Sequence, residues 1–257
     1  HPAEQRDLNR CFRPPFTDEP GRLAEEILEV LRMHEPECIV DVHNTSGTGP
    51  AFGVASFMDR HHESLVSLFA ERLVLTHITL GALMEISDQR SPTVTVEVGG
   101  RADHNAHQIA FDGLQRYFTL NEILNRPAAN TTPLALYTNP VRLELPTGVS
   151  LDYADKPGNC CDVTLRADIE QFNYGVTPAN TLLGWYDTSA PIAFRAIDTN
   201  GRCAASELVH FSGNEIRTRR ALRFFMITQN ADIALSDCLL YAVSADGCQI
   251  LAGQSSN

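Results

Sequence analysis

The residues able to do chemistry fall in three short stretches. In Cys38-Ile39-Val40-Asp41-Val42-His43-Asn44-Thr45, an apolar, β-branched run ends in Asp-x-His. Such a strand delivers His43 to the rim of a sheet, with Asp41 two residues earlier on the same face. His43 is there a candidate metal ligand, or a structural histidine bonded to a neighbouring loop. In Thr95-Val96-Glu97-Val98-Gly99-Gly100, Glu97 stands inside an otherwise apolar strand. A carboxylate in that setting is either pinned by an arginine or has a raised pKa, and the second state suits a general base. Gly99-Gly100 gives a substrate room to approach the backbone. In Asp7-Leu8-Asn9-Arg10, an amide and a guanidinium fork can grip a carboxylate, or can sit solvated at the surface. Arg90, in the loop before the Glu97 strand, is a candidate for a second carboxylate, with the same alternative.

These side chains need elements to hold them. Leu23, Ile27, Val30 and Leu31 share a face and predict a helix over 19–35 that Pro36 closes. Strands are expected at 37–43, 51–57, 73–78 and 93–98, the last central and buried. Asp59 is placed to cap a helix running to about Arg72, with His61-His62-Glu63 on its solvated face. A long helix is expected over 102–126, interrupted near Gly113, with His104 and His107 exposed or capping. Alternating helix and strand of this kind is α/β architecture. Past Pro127 short β-like runs recur between turn signals such as Lys156-Pro157-Gly158-Asn159 and Asn200-Gly201. Glu215 to Phe225 is expected as one helix. The chain therefore divides into 1–126, a catalytic domain, and 127–257, a β-rich domain, with Asn130-Thr131-Thr132-Pro133 as the linker.

Composition narrows the class. The chain has 257 residues, 43% hydrophobic and 20% charged, so it can bury a sizeable core. A net charge of −12 argues against nucleic acid and anionic membrane, both of which need a basic face. Seven cysteines, an odd number, fit a reduced cytoplasmic thiol set better than a disulfide framework. No apolar run approaches ~20 residues, and no signal peptide is visible. The start at His1, directly before a motif, reads as the remainder of a longer protein.

Taken together, Asp7-Leu8-Asn9-Arg10-Cys11-Phe12, Asp41-Val42-His43-Asn44-Thr45 and Val96-Glu97-Val98-Gly99 resemble, in order and spacing, the aspartoacylase/succinylglutamate desuccinylase family. These are zinc amidohydrolases related to the M14 carboxypeptidases. The likeness continues more diffusely through Leu151-Asp152-Tyr153, Lys156 to Asn159, Ala167 to Leu183 and Asn214-Glu215. It implies an M14 carboxypeptidase-like α/β fold, a mixed sheet flanked by helices, with a smaller β-rich C-terminal domain. It also implies one Zn2+ per subunit, with His43 as third ligand and Glu97 as general base and proton shuttle. Asn9 and Arg10 would bind the substrate carboxylate and Arg90 a second one. The expected partner is a small-molecule N-acyl amino acid, and a homo-oligomer is left open. The family's first two zinc ligands belong to a His-x-x-Glu motif well upstream of Asp-Leu-Asn-Arg. His1-Pro2-Ala3-Glu4 has that spacing but is contiguous with Asn9. Thr218 stands about where aspartoacylases carry a substrate-binding Tyr, a departure that bears on N-acetylaspartate as substrate. The alternatives are an M14-type carboxypeptidase and a metal-free carboxylate-binding protein.

Overall fold

β-Branched runs and helix caps set the element order. The computed structural model describes residues 6–124, 133–158, 160–189, 192–198 and 201–251. A 3-10 turn over Leu8–Arg10 leads to helix α1 (Glu19–His34), where Asp18 accepts from Gly21 N–H and Pro20 sits in the first turn. Then come β1 (Ile39–Thr45), β2 (Phe52–Ala55), α2 (Arg60–Val66), β3 (Arg72–Leu75), β4 (Thr93–Gly100) and α3 (His104–Thr119). The later part supplies β5 (Leu134–Thr138), β6 (Val141–Glu144), β7 (Leu151–Ala154), β8 (Val163–Arg166), β9 (Val176–Thr177) and β10 (Leu182–Tyr186). It continues with β11 (Arg195–Ile197), α4 (Ala205–Leu208), β12 (Val209–Ser212), β13 (Glu215–Thr218), β14 (Leu222–Phe225), α5 (Ala231–Ser236), β15 (Leu240–Ser244) and β16 (Cys248–Leu251).

The strands form three sheets, ordered β1-β4-β2-β3-β5-β16, β12-β13-β10-β8-β7 and β11-β6-β15-β14-β9. The first is mixed. β1 runs parallel to β4, β2 antiparallel to it, and β3 and β5 continue in parallel before β16 closes antiparallel. So β5 and β16, from the later part of the chain, complete the sheet that the earlier part begins.

Period-two alternation gives this sheet two different faces. Val94, Val96 and Val98 of β4 pack with Leu65, Phe69 and Ala106 in the core beneath α2 and α3. The opposite face carries Phe52, Val74 and Tyr137, which pack on Tyr174, Phe225 and Tyr241. Phe225 and Tyr241 belong to the third sheet, so helices cover one face of the mixed sheet and a second sheet covers the other. An α/β fold with a mixed sheet is what the sequence led us to expect. Helices flank one face of that sheet, and β structure from the later part of the chain packs on the other.

Local expectations change at several points. Helix α2 stops at Val66, short of Arg72, which instead opens β3, and α3 ends at Thr119 rather than 126. The segment Glu215 to Phe225 is not a helix but β13 and β14, turning at the exposed Arg219-Arg220. Ile216 and Thr218 are buried while Glu215 and Arg217 are half-buried, a period of two that a helix does not satisfy. Helix α3 is uninterrupted at Gly113, which is there for space: a Cβ at that position would lie 2.0 Å from the Phe69 ring. Among the described residues no helix is long and apolar enough to cross a membrane.

Candidate active site

The site is built by strand register. In the parallel β1–β4 pair His43 lies beside Glu97, and in the antiparallel β4–β2 pair Phe52 lies on its other side. Register partners point to the same face, so these three side chains form one row. One step along, Asp41, Thr95, Val54, Val74 and Tyr137 form the next row across the sheet. The row begins polar at β1 and turns apolar inward. His43 Nε2 sits 2.8 Å from Asp41 Oδ1, as the Asp-x-His spacing on one strand face requires. That contact, with smaller contributions from the Asp41, Glu97 and Asp7 charges, raises the His43 pKa against the opposing effect of burial.

Glu97 is 8% exposed, and its Oε2 has no hydrogen-bond partner. Burial lifts its pKa from 4.5 to about 7, helped by the Asp41 charge and opposed by His43 and Arg10. Among the described residues no arginine forms an ion pair with it, and Arg10 acts on it only through its charge. Gly99 and Gly100 are both required by the backbone. Gly99 has φ +133°, and a Cβ on Gly100 would lie 2.4 Å from the Gly47 carbonyl.

Asn9 and Arg10 reach the same place from the N-terminal loop. Asp7 caps the 3-10 turn by accepting from Asn9 N–H at 3.0 Å. Phe12 N–H bonds the Gly81 carbonyl, and Leu83 N–H bonds Asn9 Oδ1 at 3.0 Å. The loop is thereby tied to the 80–83 segment, with the Asn9 NH2 group left as the donor it can offer. Arg10 Nη2 lies 3.3 Å from Asp237 Oδ1, and the same oxygen takes a 2.8 Å bond from Arg142.

Asn9, Arg10, Thr95 and Glu97 line a cavity of about 80 Å3 between the first and third sheets. Its remaining wall is mostly apolar, from Phe52, Val54 and Val74 to Ile78, Met84, Phe225 and Tyr241. Thr95 Oγ1, in that wall, also has no hydrogen-bond partner. Behind it Tyr174, buried and at φ +67°, tilts on Phe52 at 5.1 Å and stacks on Phe225 at 5.8 Å, its hydroxyl unpartnered.

Of the residues singled out in the sequence, Asn9, Arg10 and Glu97 meet at this cavity, with His43 next to Glu97. Arg90 does not: it is exposed, in a turn where Asp88 accepts from its backbone N–H, and it is absent from the cavity wall. Thr218 is fully buried, donating to the Pro178 carbonyl and accepting from Thr181 N–H. Glu215 pairs with Arg217 at 2.7 Å. Both lie in the second sheet, away from the cavity. His62 is not solvated as expected but wholly buried, between Asp59 Oδ1 at 2.8 Å and Ser87 Oγ at 2.9 Å. His104 and His107 are exposed, as expected. Asp237, Arg142 and Tyr174 were missed, since neither periodicity nor motif marks them.

A zinc ion needs more donors than this. Among the described residues no three His, Cys, Asp or Glu side chains group to hold a metal. His43 fits one ligand position, and with Nε2 engaged by Asp41 it has Nδ1 to offer. His1 and Glu4 lie outside the described residues. The described donor set supplies one ligand position and does not by itself complete a zinc site.

No family model matches the chain, and no curated protein matches it. Solved structures do. Murine aminoacylase 3 superimposes with a TM-score of 0.53 at 15% identity, covering 96% of this chain and 78% of that one. A succinylglutamate desuccinylase from Vibrio parahaemolyticus gives 0.55 at 12% identity, and one from Vibrio cholerae 0.52 at 13%. Each of these two covers 96% of this chain and 69% of its own. The resemblance read from three short motifs is thus matched across nearly the whole chain in three dimensions, and this protein has the fold of the succinylglutamate desuccinylase and aminoacylase structures.

Proposed function

We propose that the protein hydrolyses the amide bond of a small N-acyl amino acid, with Glu97 as general base. The observation that carries this is the convergence of Glu97, Asn9 and Arg10 on one cavity, with His43 beside Glu97 in strand register. A buried carboxylate with a pKa near neutrality accepts a proton from an attacking water and returns it to the departing amine. The Asn9 amide and the Arg10 fork hold the substrate carboxylate, which converts binding energy into orientation of the scissile bond. The fold shared with deacylase structures supports the reaction class. Zinc dependence belongs to this proposal with His43 as the single described ligand; bound zinc would supply Lewis-acid polarisation of the carbonyl. Wild-type protein, assayed with and without added Zn2+ on N-acetyl and N-succinyl amino acids, is expected to release free amine. Glu97→Gln is expected to lower kcat/KM by about 100-fold or more. No hydrolysis by the wild type under either condition, or an unaffected Glu97→Gln, would overturn it.

A metal-free binding protein is the second reading, favoured by the incomplete donor set. It expects amino-acid binding without turnover, and binding independent of zinc.

A further inference from the structure

The cavity has a chemistry of its own, distinct from the reacting groups at its rim. Asn9 and Arg10 sit in its wall, so a substrate held by its carboxylate places the part bearing that carboxylate, the amino acid, inside. What then surrounds the amino-acid side chain is mostly apolar, from Val54, Val74, Ile78, Met84 and Phe225, with the hydroxyls of Thr76, Thr95 and Tyr241 among them. None of these carries a positive charge. The charged groups in the wall are Arg10, Glu85 and Glu97, with the Tyr241 phenol held neutral by burial. Arg10 already shares Asp237 with Arg142. Glu85 Oε1 is occupied by the backbone N–H groups of Leu80, Gly81 and Ala82 at 2.6, 2.9 and 3.1 Å. With Arg10 engaged by the first carboxylate, a second one would meet Glu85 and Glu97, and Arg90 is not in the wall to receive it. Burying it there without a partner is strongly unfavourable.

We infer that the cavity selects amino acids with short aliphatic side chains, and excludes the dicarboxylic amino acids. The inference rests on the deacylase reading for which end of the substrate enters. The size sets the upper limit. About 80 Å3 is well below the ~150 Å3 apolar cavity that admits a benzene ring, so the walls favour a short aliphatic chain over an aromatic one. Each methylene that enters an apolar pocket is worth at least about tenfold in discrimination.

The test uses the full chain and two separate readouts. Thermal shift and calorimetry with free L-alanine, L-valine, L-leucine, L-phenylalanine and L-aspartate report the cavity alone. Hydrolysis of the corresponding N-acetyl derivatives reports the reaction. Leucine and valine are expected to raise the Tm and to bind about tenfold or more tighter than alanine, with aspartate and phenylalanine weaker still. Where turnover occurs, kcat/KM follows the same order. Ile78→Phe, which fills the cavity, is expected to abolish the preference for leucine over alanine. Val54→Phe repeats the test from a second position in the wall, should the first variant not fold. Aspartate binding or turnover equal to that of leucine overturns the inference, as does the absence of binding by every amino acid. Selective leucine binding with no turnover of any derivative sustains it and overturns the hydrolase reading instead.

Discussion

Glu97 is the side chain at which stability and reactivity pull in opposite directions. Burial raises its folded pKa from 4.5 to about 7. Below pH 4.5 it is protonated both folded and unfolded, and the stability it contributes is fully present. As pH rises through 7 that stability is lost, by up to about 3 kcal/mol, since the folded state must ionise a desolvated acid. Glu97→Gln is therefore expected to melt higher than the wild type above pH 7 and to show a flatter Tm profile between pH 4 and 9. Superimposable profiles would contradict the raised pKa. Tyr174 is a milder case. Its buried hydroxyl has no partner, so Tyr174→Phe removes an unsatisfied group at no cost in ring packing. We expect a change between zero and about 1 kcal/mol of stabilisation in urea unfolding. The two residues also differ in legibility. A glutamate within Thr-Val-Thr-Val-Glu-Val-Gly is visible as an anomaly in the sequence, because the strand's period and its apolar run conflict with a charge. Tyr174, Arg142 and Asp237 carry no such conflict. Arg10 and Asp237 lie 227 positions apart and meet through tertiary packing that no local pattern encodes.

Among the elements, caps and strand patterns were legible, and spacing between elements was not. Asp59 was recognisable as a helix cap, and it accepts from the N–H groups of both His61 and His62. Its second role, holding the ring of buried His62, was invisible, because burial of a histidine depends on what packs over it. Asp59→Ala should thus cost more than a cap alone. We expect about 2–3 kcal/mol, the cap plus a stranded imidazole nitrogen, read by denaturant midpoint. Gly113 shows the reverse error. In sequence it looks like a weak point in a helix, where alanine would gain about 1 kcal/mol of propensity. In the fold a methyl there collides with the Phe69 ring. Overpacking of roughly 1–3 kcal/mol outweighs the gain, so Gly113→Ala is expected to lower the Tm. β13 and β14 read as a helix in sequence, since an eleven-residue stretch mixing charged and apolar residues satisfies either period until the turn at Arg219-Arg220 is known.

For the whole molecule, the seam between the first and third sheets matters most. The cavity lies on it, and Asp237 ties Arg10 on one side to Arg142 on the other. Asp237 is 30% exposed, so Asp237→Ala is expected to cost about 1–2 kcal/mol rather than the larger penalty of a fully buried pair. Because β5 and β16 complete the first sheet, a fragment ending at residue 126 would leave the inner edge of β3 bare. We expect no cooperative urea transition from it. At the other end of that sheet, β1 has no strand beyond it among the described residues, and Val42 on it is 37% exposed. Among the described residues, the strand that presents His43 is accordingly also an edge of the kind on which a second chain's backbone can pair into cross-β growth. What restrains this is colloidal: a net charge of −12 keeps copies apart near neutral pH, and that repulsion vanishes toward the isoelectric point of about 5.1.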